Sequence, residues 1–316
     1  MTYVQDFYAK KGICDNMFSL SRVGVNDVRK VIGELGAGKA TGLDTIPVKF
    51  IKDGCNEIAK PLTHIINMSI SSGDIPADLK IARVVPLHKK NSRTDVGNYR
   101  PVSVLSVVSK VIEKLVFKQL NSYLNDQNLL YELQSGFRPS YSTDTSLIHL
   151  FDHIKKENDN GNYTGMVLLD LQKAFDTVDH SVLLQKLKAL GLDKSAVGWF
   201  HSYLTNREQV SCNEGVHSEK KLITCGVPQG SILGPLLFLI YVNDMALAVN
   251  CKLMLYADDS ALLVSGKEVV EIEEKLKSEL ESVSEWLCEN KLSLHLGKTE
   301  SILFGTKHNL KHRPWA

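Results

Sequence analysis

Three aspartates lie next to short apolar runs in the second half of the chain. Residues 166–171 (MVLLDL) form a near-continuous apolar run that contains Asp170, and such a run is typical of a strand covered on both faces. Residues 252–265 (KLMLYADDSALLVS) contain two apolar runs separated by Asp258 and Asp259, which predicts two short strands joined by a tight turn. The sequence therefore predicts a buried strand that ends near one carboxylate and a hairpin that carries two carboxylates at its turn.

The elements predicted around these runs follow the order β-α-β-β-α-β over residues 165–305. A helical stretch near residues 182–190 follows the first strand, and an insertion then contains a hairpin-like region and an apolar helix that starts at Pro235. An amphipathic helix over residues 269–287 follows the hairpin, and residues 301–304 form the last strand. In this split ferredoxin-like order the first strand lies beside the hairpin, so we expect the three aspartates to converge.

A cluster of carboxylates implies cations. Burying one unpaired carboxylate is costly and a second one adds repulsion, so such a site makes sense mainly when metal ions neutralise it. Oxygen-only ligands favour Mg²⁺ over zinc or iron, and two ions about 4 Å apart could serve an in-line phosphoryl displacement. The alternative is that Asp258 and Asp259 only form a turn and Asp170 only caps a strand. The pattern alone leaves both interpretations open.

The composition is that of an ordinary soluble globular protein. The chain has 316 residues, 43% of them hydrophobic and 23% charged, with a formal net charge of +1. This excludes disordered, collagen-like and strongly basic proteins. The charge is uneven, however, because residues 80–100 hold six Lys or Arg and one Asp, whereas residues 267–289 hold eight Glu and three Lys. We therefore expect one positive and one negative face.

We expect no membrane segment and no export signal. The first twelve residues lack the apolar core of a secretory signal. The longest apolar stretch, residues 232–242, is too short to span a bilayer and contains Gly234 and Pro235. These features predict an intracellular protein.

Several segments of the chain resemble the motifs of reverse transcriptases, in the form carried by non-long-terminal-repeat, LINE-type retrotransposons. The three segments that resemble the core motifs are LDLQKAFDTVDHSVLL (169–184), GVPQGSILGPLLF (226–238) and YADD (256–259). Those that resemble fingers motifs are GKATGLDTIPVKFIK (38–52), ARVVPLHKKN (82–91), NYRPVSVLS (98–106) and QSGFRPSYSTDTSL (134–147), and NKLSLHLGKTESILFG (290–305) resembles the last palm motifs. About 270 residues are covered in the family's order.

The resemblance implies an α+β, right-hand polymerase fold made of fingers and a ferredoxin-like palm. We expect a lead-in at residues 1–24, fingers at 25–164, a palm at 165–305 and a stub at 306–316, with the helical thumb essentially absent. The implied activity is RNA-directed DNA synthesis, in which a primer 3′-hydroxyl attacks the α-phosphate of a deoxynucleoside triphosphate and expels pyrophosphate. RNA template, DNA primer and deoxynucleotides are the implied partners, without a membrane, and nuclear action is implied by the family.

By the same resemblance, the catalytic residues are Asp170, Asp258, Asp259 and Lys298. Asp170 and Asp258 match the carboxylates that bridge two Mg²⁺ ions, which Mn²⁺ can replace, and Asp259 assists them. The backbone carbonyl of Leu171 matches a further metal ligand. Lys298 matches a late palm lysine proposed to protonate the departing pyrophosphate.

Five residues match nucleotide-binding positions of the family. Phe175 matches the steric gate, an aromatic ring that leaves no room for a 2′-hydroxyl, although the residue could also be an ordinary core phenylalanine. Gln229 matches a contact with the incoming nucleotide and template, and Gly230 permits close approach of the backbone. Lys89 and Arg100 match basic residues that hold the triphosphate, Arg100 by bidentate pairing.

Five further residues match or suggest nucleic-acid contacts. Arg83, Lys90 and Arg93 are interpreted either as a solvated face or as a face that follows the phosphate backbone, which would position nucleic acid without reading bases. Phe304 and Gly305 fall where the family grips the primer strand.

Two departures from the family pattern leave an alternative open. His295 stands where the family usually has Asn, and the chain ends at Ala316, about a dozen residues past the primer-grip motif. No endonuclease precedes the fingers motifs, so the chain is interpreted as part of an element's polyprotein. The alternative is a catalytically silent nucleic-acid-binding fragment or relic. An RNA-templated RNA polymerase is disfavoured by the aromatic gate at Phe175.

Overall fold

The computed structural model describes residues 17–38, 40–213 and 215–306, and in them helices and strands are mixed along the chain. The described chain is therefore of the α+β type that the sequence predicts. In chain order the elements are α1 (Val25–Glu34), α2 (Val48–Asp53), α3 (Cys55–Ser72), β1 (Ile81–His88), β2 (Tyr99–Val104), α4 (Val107–Asp126), α5 (Thr143–Asp159), β3 (Tyr163–Asp170), α6 (His180–Ala189), α7 (Lys194–Leu204), β4 (Arg207–Asn213), β5 (Val216–His217), β6 (Lys221–Ile223), α8 (Leu233–Val242), β7 (Lys252–Tyr256), β8 (Asp259–Gly266), α9 (Val269–Glu289) and β9 (Glu300–Phe304).

The described chain divides into two compact units, and each unit is built from two separate segments. Residues 130–174 and 242–306 form what we call the carboxylate unit, because it contains the three aspartates. Residues 17–129 and 175–241 form the basic-hairpin unit, named after β1, β2 and the lysines and arginines around them. The chain passes from one unit to the other and back, so neither unit corresponds to one continuous stretch of sequence.

The sheet of the carboxylate unit is antiparallel, with its strands in the order β7-β8-β3-β9. β3 pairs with β8 from Tyr163 opposite Gly266 to Asp170 opposite Asp259. This confirms the prediction that the first strand lies beside the hairpin.

Both faces of β3 are covered, as its apolar run predicts. On one face Met166 packs in a cluster with Ile154 of α5 and with Met254 and Leu263 of the hairpin. On the other face Tyr163 packs with residues that include Ile272 of α9. Because side chains alternate along a strand, these two helices are held by alternate residues of β3, and burial of their apolar area is the main stabilising contribution. The strand end that carries Asp170 is thereby fixed.

The basic-hairpin unit contains a second sheet, with described strands in the order β2-β1-β4-β5 and β6 paired to β4. β1 and β2 are antiparallel, with Leu87 opposite Arg100, and β1 and β4 are parallel. Helices α4, α7 and α8 supply large buried side chains, among them Trp199, Phe200 and Phe238. These side chains form part of the core of the basic-hairpin unit, and the basic hairpin is the β2–β1 side of its sheet.

The apolar helix α8 begins two residues before the predicted start, at Leu233, and Pro235 lies in its first turn. A proline is tolerated there because the first N–H groups of a helix have no partner within the helix. Within the described residues, no helix has both the length and the hydropathy required to cross a bilayer.

Candidate active site

Two of the three aspartates lie directly opposite each other at adjacent strand ends. Asp170 is the last residue of β3 and Asp259 the first of β8, and the two are register partners. Opposite residues of an antiparallel pair have Cα atoms about 4.5 to 5.5 Å apart and project to the same face. Asp258 is the second residue of the two-residue turn that precedes Asp259. The sheet therefore brings three carboxylates to one edge, namely the end at which β3 stops and β8 begins.

The electrostatics of this edge show the expected repulsion. Loss of hydration raises the pKa of Asp259, the negative charges of Asp258 and Asp170 raise it further, and the ammonium of Lys298 opposes them. A group surrounded in this way binds protons or cations more readily than an isolated carboxylate.

Lys298 is the cation nearest to this group among the described contacts. Its Nζ lies 2.5 Å from Oδ2 of Asp170. The loop that carries it is tied to the end of β3, because Gln172 donates its N–H to the carbonyl of Ser293 and His295 donates its N–H to the carbonyl of Asp170, both at 2.8 Å. Since His295 makes this contact through its backbone, the replacement of the family's usual Asn does not remove it.

A segment far away in sequence supports the turn before Asp258. The side-chain carbonyl of the buried Gln134 accepts N–H groups from Ala257 at 3.0 Å and from Gly136 at 2.8 Å. Ser135 donates its N–H to the carbonyl of Leu255 at 2.8 Å. Ala257 has a φ of 57°, in the left-handed region that non-glycine residues seldom adopt. The Gln134 contact helps to hold this unfavourable conformation.

The donor set of this edge fits a hard divalent cation. Three carboxylates at adjacent strand ends offer only oxygen ligands, which suits Mg²⁺, and a cation would relieve the repulsion that raises the pKa of Asp259. As the side chains stand, no three His, Cys, Asp or Glu groups within the described ranges are arranged to hold one ion. Asp170 is engaged with Lys298. Leu171, whose carbonyl is a predicted ligand, forms a backbone bridge with Leu294.

The predicted primer-grip residues also belong to the carboxylate unit. Phe304 ends β9 opposite Thr164, and its half-buried side chain packs against the cluster around Met166. Gly305 follows directly after the strand. The side chain of Phe304 thus contributes to the core, and the contact with a primer stays a prediction.

The turn that carries Gln229 and Gly230 lies in the basic-hairpin unit, against β2. The carbonyl of Gln229 accepts the N–H of Ser103 at 2.6 Å. Gly230 has a φ of 114°, and a Cβ at this position would lie 2.5 Å from the carbonyl oxygen of Ser103. Only glycine fits this conformation and this spacing. The backbone at Gly230 therefore lies close against β2, and its approach to a nucleotide stays a prediction.

Helix α8 begins directly after this turn, and each of its first N–H groups has a partner. The buried carboxylate of Glu113 accepts N–H groups from Ile232, at 2.6 Å, and Leu233. Gly234 donates to the Ser231 hydroxyl at 2.9 Å, and the next residue is a proline, which has no N–H. Burial raises the pKa of Glu113, and the nearby Arg207 opposes this shift. No periodicity in the sequence identifies Glu113 as a residue that holds this turn.

Phe175 and its neighbour Asp176 face the same turn. The ring of Phe175 stacks on that of the buried Phe238, with 4.6 Å between centroids, and the Phe175 carbonyl accepts the N–H of Val227 at 2.8 Å. Nε2 of Gln229 donates to both carboxylate oxygens of Asp176, at 2.8 and 2.9 Å. Phe175 therefore packs in the core on one side while remaining half-exposed. The sequence predicts no role for Asp176, whose contact with Gln229 is seen only in the structure.

The predicted triphosphate-binding residues share one face of the β1–β2 hairpin. Arg100 is opposite Leu87, and the N–H of Lys89 donates to the carbonyl of Asn98 at 2.8 Å, continuing the ladder. Residues two apart on one strand project to the same face, so Lys89 and Arg100 are diagonal neighbours, and both side chains are exposed.

The three residues that are predicted to follow the phosphate backbone differ in their environments. Lys90 and Arg93 are exposed near the tip of the hairpin. Arg83 is half-buried; its Nη1 lies 3.5 Å from the carbonyl of Thr41, and its buried Nε has no described partner. Lys90 and Arg93 are thus accessible to a phosphate backbone, whereas Arg83 is partly engaged within the unit.

Comparisons with known proteins give a consistent result. A family model described as "Reverse transcriptase (RNA-dependent DNA polymerase)" matches residues 87–313. The chain is 28% identical over 297 residues to "RNA-directed DNA polymerase from mobile element jockey" of Drosophila melanogaster, an alignment that covers 91% of the chain and 32% of that protein. It is 30% identical over 302 residues to "Probable RNA-directed DNA polymerase from transposon BS" of the same species, covering 90% and 32%. The chain thus spans about a third of the length of these relatives.

Proposed function

The chain belongs to the reverse transcriptase (RNA-dependent DNA polymerase) family, and on this premise we propose that it catalyses RNA-templated addition of deoxynucleotides to a primer 3′-hydroxyl. The observation that carries the proposal is the register of Asp170 against Asp259, with Asp258 in the adjoining turn. Three carboxylates together at adjacent strand ends can hold the metal ions of a two-metal phosphoryl transfer, whereas a turn with only a structural role does not need them.

The proposed architecture is a right-hand polymerase fold, with fingers over residues 25–164 and a palm over residues 165–305. The antiparallel sheet β7-β8-β3-β9 supports the palm assignment. The exposed basic face of the β1–β2 hairpin supports a phosphate-binding role for the fingers.

In the proposed mechanism, Asp170, Asp258 and Asp259 hold two Mg²⁺ ions, which when bound supply charge neutralisation and activation of the primer hydroxyl. Lys298 keeps its ammonium beside Asp170 and donates a proton from Nζ to the departing pyrophosphate. The remaining contribution is positioning, because phosphoryl transfer leaves little covalent work for side chains.

The nucleotide is proposed to be held by residues of the basic-hairpin unit. Lys89 and Arg100 bind the triphosphate from one exposed face of the hairpin. Gln229 contacts the incoming nucleotide and the template, and Gly230 permits the close approach of the backbone. Lys90, Arg93 and Arg83 follow the nucleic-acid backbone. The protein is proposed to act in the nucleus.

Primer extension tests the function directly. With an RNA template, an annealed DNA primer, deoxynucleotides and Mg²⁺, we expect template-directed extension that stops when the metal is chelated. A folded chain that binds RNA in a salt-sensitive manner but extends no primer on RNA or DNA templates would overturn the proposal. That result would favour a catalytically silent nucleic-acid-binding protein.

Substitution of Phe175 tests the sugar gate. Phe175→Ala removes the half-exposed ring, so we expect ribonucleotide incorporation relative to deoxynucleotide incorporation to rise by about tenfold or more. The variant also loses stacking on Phe238, worth about 1 kcal/mol. Competition between ribo- and deoxynucleoside triphosphates during extension measures the ratio.

Phe175→Tyr is the matched control, because it keeps the ring and should keep the sugar selectivity. If both variants retain the selectivity of the wild type, Phe175 is only a packing partner of Phe238.

A further inference from the structure

We propose that Asp176 is a positioning residue that orients the side-chain amide of Gln229, so that Gln229 offers its carbonyl oxygen, and not its N–H groups, to the substrate. This inference rests on the proposed function, because it gives a chemical role to a residue that this function places at the nucleotide. The substrate group that contacts Gln229 is therefore inferred to be a hydrogen-bond donor.

The orientation of the amide follows from the chemistry of its partner. Nε2 of Gln229 lies 2.8 and 2.9 Å from the two carboxylate oxygens of Asp176. An ionised carboxylate only accepts hydrogen bonds, so the atom facing it must be the amide nitrogen and not the amide oxygen. Bonds to a charged acceptor are about twice as strong as neutral ones. Asp176 therefore selects one of the two possible orientations of the amide.

The backbone on both sides of Asp176 is joined to the segment that leads to Gln229. Gly226 donates its N–H to the carbonyl of Val178 at 2.7 Å, and Val227 donates to the carbonyl of Phe175 at 2.8 Å. Gly226 has a φ of 86°, and a Cβ there would lie 2.7 Å from the carbonyl oxygen of Asp176. The two segments are thus at a fixed separation before any substrate binds, which is the condition for a preorganised contact.

The side-chain oxygen of Gln229, Oε1, is the polar atom of this amide that Asp176 does not contact. Among the described residues none donates a hydrogen bond to Oε1, and the side chain is only half-buried. An oxygen of this kind attracts a sugar hydroxyl or a base N–H, whereas a phosphate oxygen would be repelled both by Oε1 and by the charge of Asp176. Gln229 is therefore assigned to a donor on the sugar or base, and the triphosphate is left to Lys89 and Arg100.

A polarity swap tests this proposal. Asp176→Asn lets two amides meet in either orientation, so we expect the KM for deoxynucleotides to rise about tenfold while kcat changes by less than about twofold. Gln229→Glu places two carboxylates face to face and should raise KM at least as much. In the double variant the amide introduced at position 176 can donate to the carboxylate introduced at position 229. That carboxylate again offers an oxygen to the substrate, so KM should return to within about threefold of the wild type.

Asp53→Asn is the control, since Asp53 is an exposed carboxylate at the end of α2 in the same unit, and it should leave KM unchanged. The proposal is overturned if Asp176→Asn has the wild-type KM, or if the double variant is no better than Gln229→Glu alone.

Melting temperatures separate failure of this inference from failure of the proposed function. If the wild-type chain extends no primer, the function fails, and the pairing is judged by unfolding. Each single variant should lower the melting temperature by about 2 to 4 °C, and the double variant should recover it. Additive lowering in the double variant would overturn the role of Asp176.

Discussion

Asp258→Asn should reduce Mg²⁺-dependent primer extension to below about one thousandth of the wild-type rate. The substitution removes one anionic oxygen from the group that is proposed to hold the metal ions, and metal-based charge stabilisation is worth several kcal/mol, or about three powers of ten in rate. The fold should survive, because Asp258 is a half-exposed residue of a two-residue turn and asparagine is equally suited to turns. Removing a charge beside Asp259 also lowers the local repulsion.

Extension on an RNA template, measured alongside thermal unfolding, checks this result. Asp170→Asn should behave in the same way, although it also removes the ion pair with Lys298. Asp152→Asn makes the same chemical change at an exposed position on α5 of the carboxylate unit, and it should extend primers normally. Wild-type extension by either the Asp258 or the Asp170 variant would refute the metal assignment.

Gly136→Ala should destabilise the protein by about 3 kcal/mol or more and reduce primer extension as well. A Cβ at position 136 would lie 2.1 Å from the backbone nitrogen of Ala257 and 2.7 Å from its Cα. This backbone cannot move aside without breaking the bond from the Ala257 N–H to Gln134. Overpacking usually costs about 1 to 3 kcal/mol, and a clash with backbone lies at the upper end. Because Ala257 precedes Asp258, the displaced turn should also misplace a carboxylate.

Gly198→Ala is the matched control. Gly198 lies inside α7, and a Cβ there would have no atom within 4 Å. Alanine is a better helix former than glycine by about 1 kcal/mol, so this variant should be as stable as the wild type or more stable. Free energies of unfolding from denaturant titration compare the two variants. A Gly136→Ala protein with wild-type stability would show that the close contact at Ala257 is not present.

The elements around the carboxylates could be predicted because their signals are local. The continuous apolar run before Asp170 predicted a strand covered on both faces, and clusters from α5 and α9 cover it. The paired aspartates between two apolar runs predicted a hairpin, and the element order predicted that this hairpin lies beside the first strand. Helix α8 was predicted from its apolar stretch, but its start was placed two residues late because Pro235 was taken as the first residue.

The contacts that hold the site together could not be predicted in this way. The QSG segment at residues 134–136 was placed with the fingers motifs, yet the structure packs it against Ala257 in the carboxylate unit. Asp176 and Gln229 are 53 residues apart, and Glu113 and Ile232 are 119 apart. No periodic pattern links such pairs. Side-chain hydrogen bonds of this kind depend on where the backbone segments finally lie.

The amino-acid sequence by itself determined the kinds of element around the three aspartates, because strand and turn preferences depend on neighbouring residues, and the order of these elements placed the first strand beside the hairpin. Only the tertiary structure decided how those aspartates and Gln229 are held. Gln134 supports the turn before Asp258, Asp176 orients the amide of Gln229, and Glu113 anchors the helix after it. Each of these is a hydrogen bond between distant segments, and its geometry exists only after the cores that carry those segments have packed.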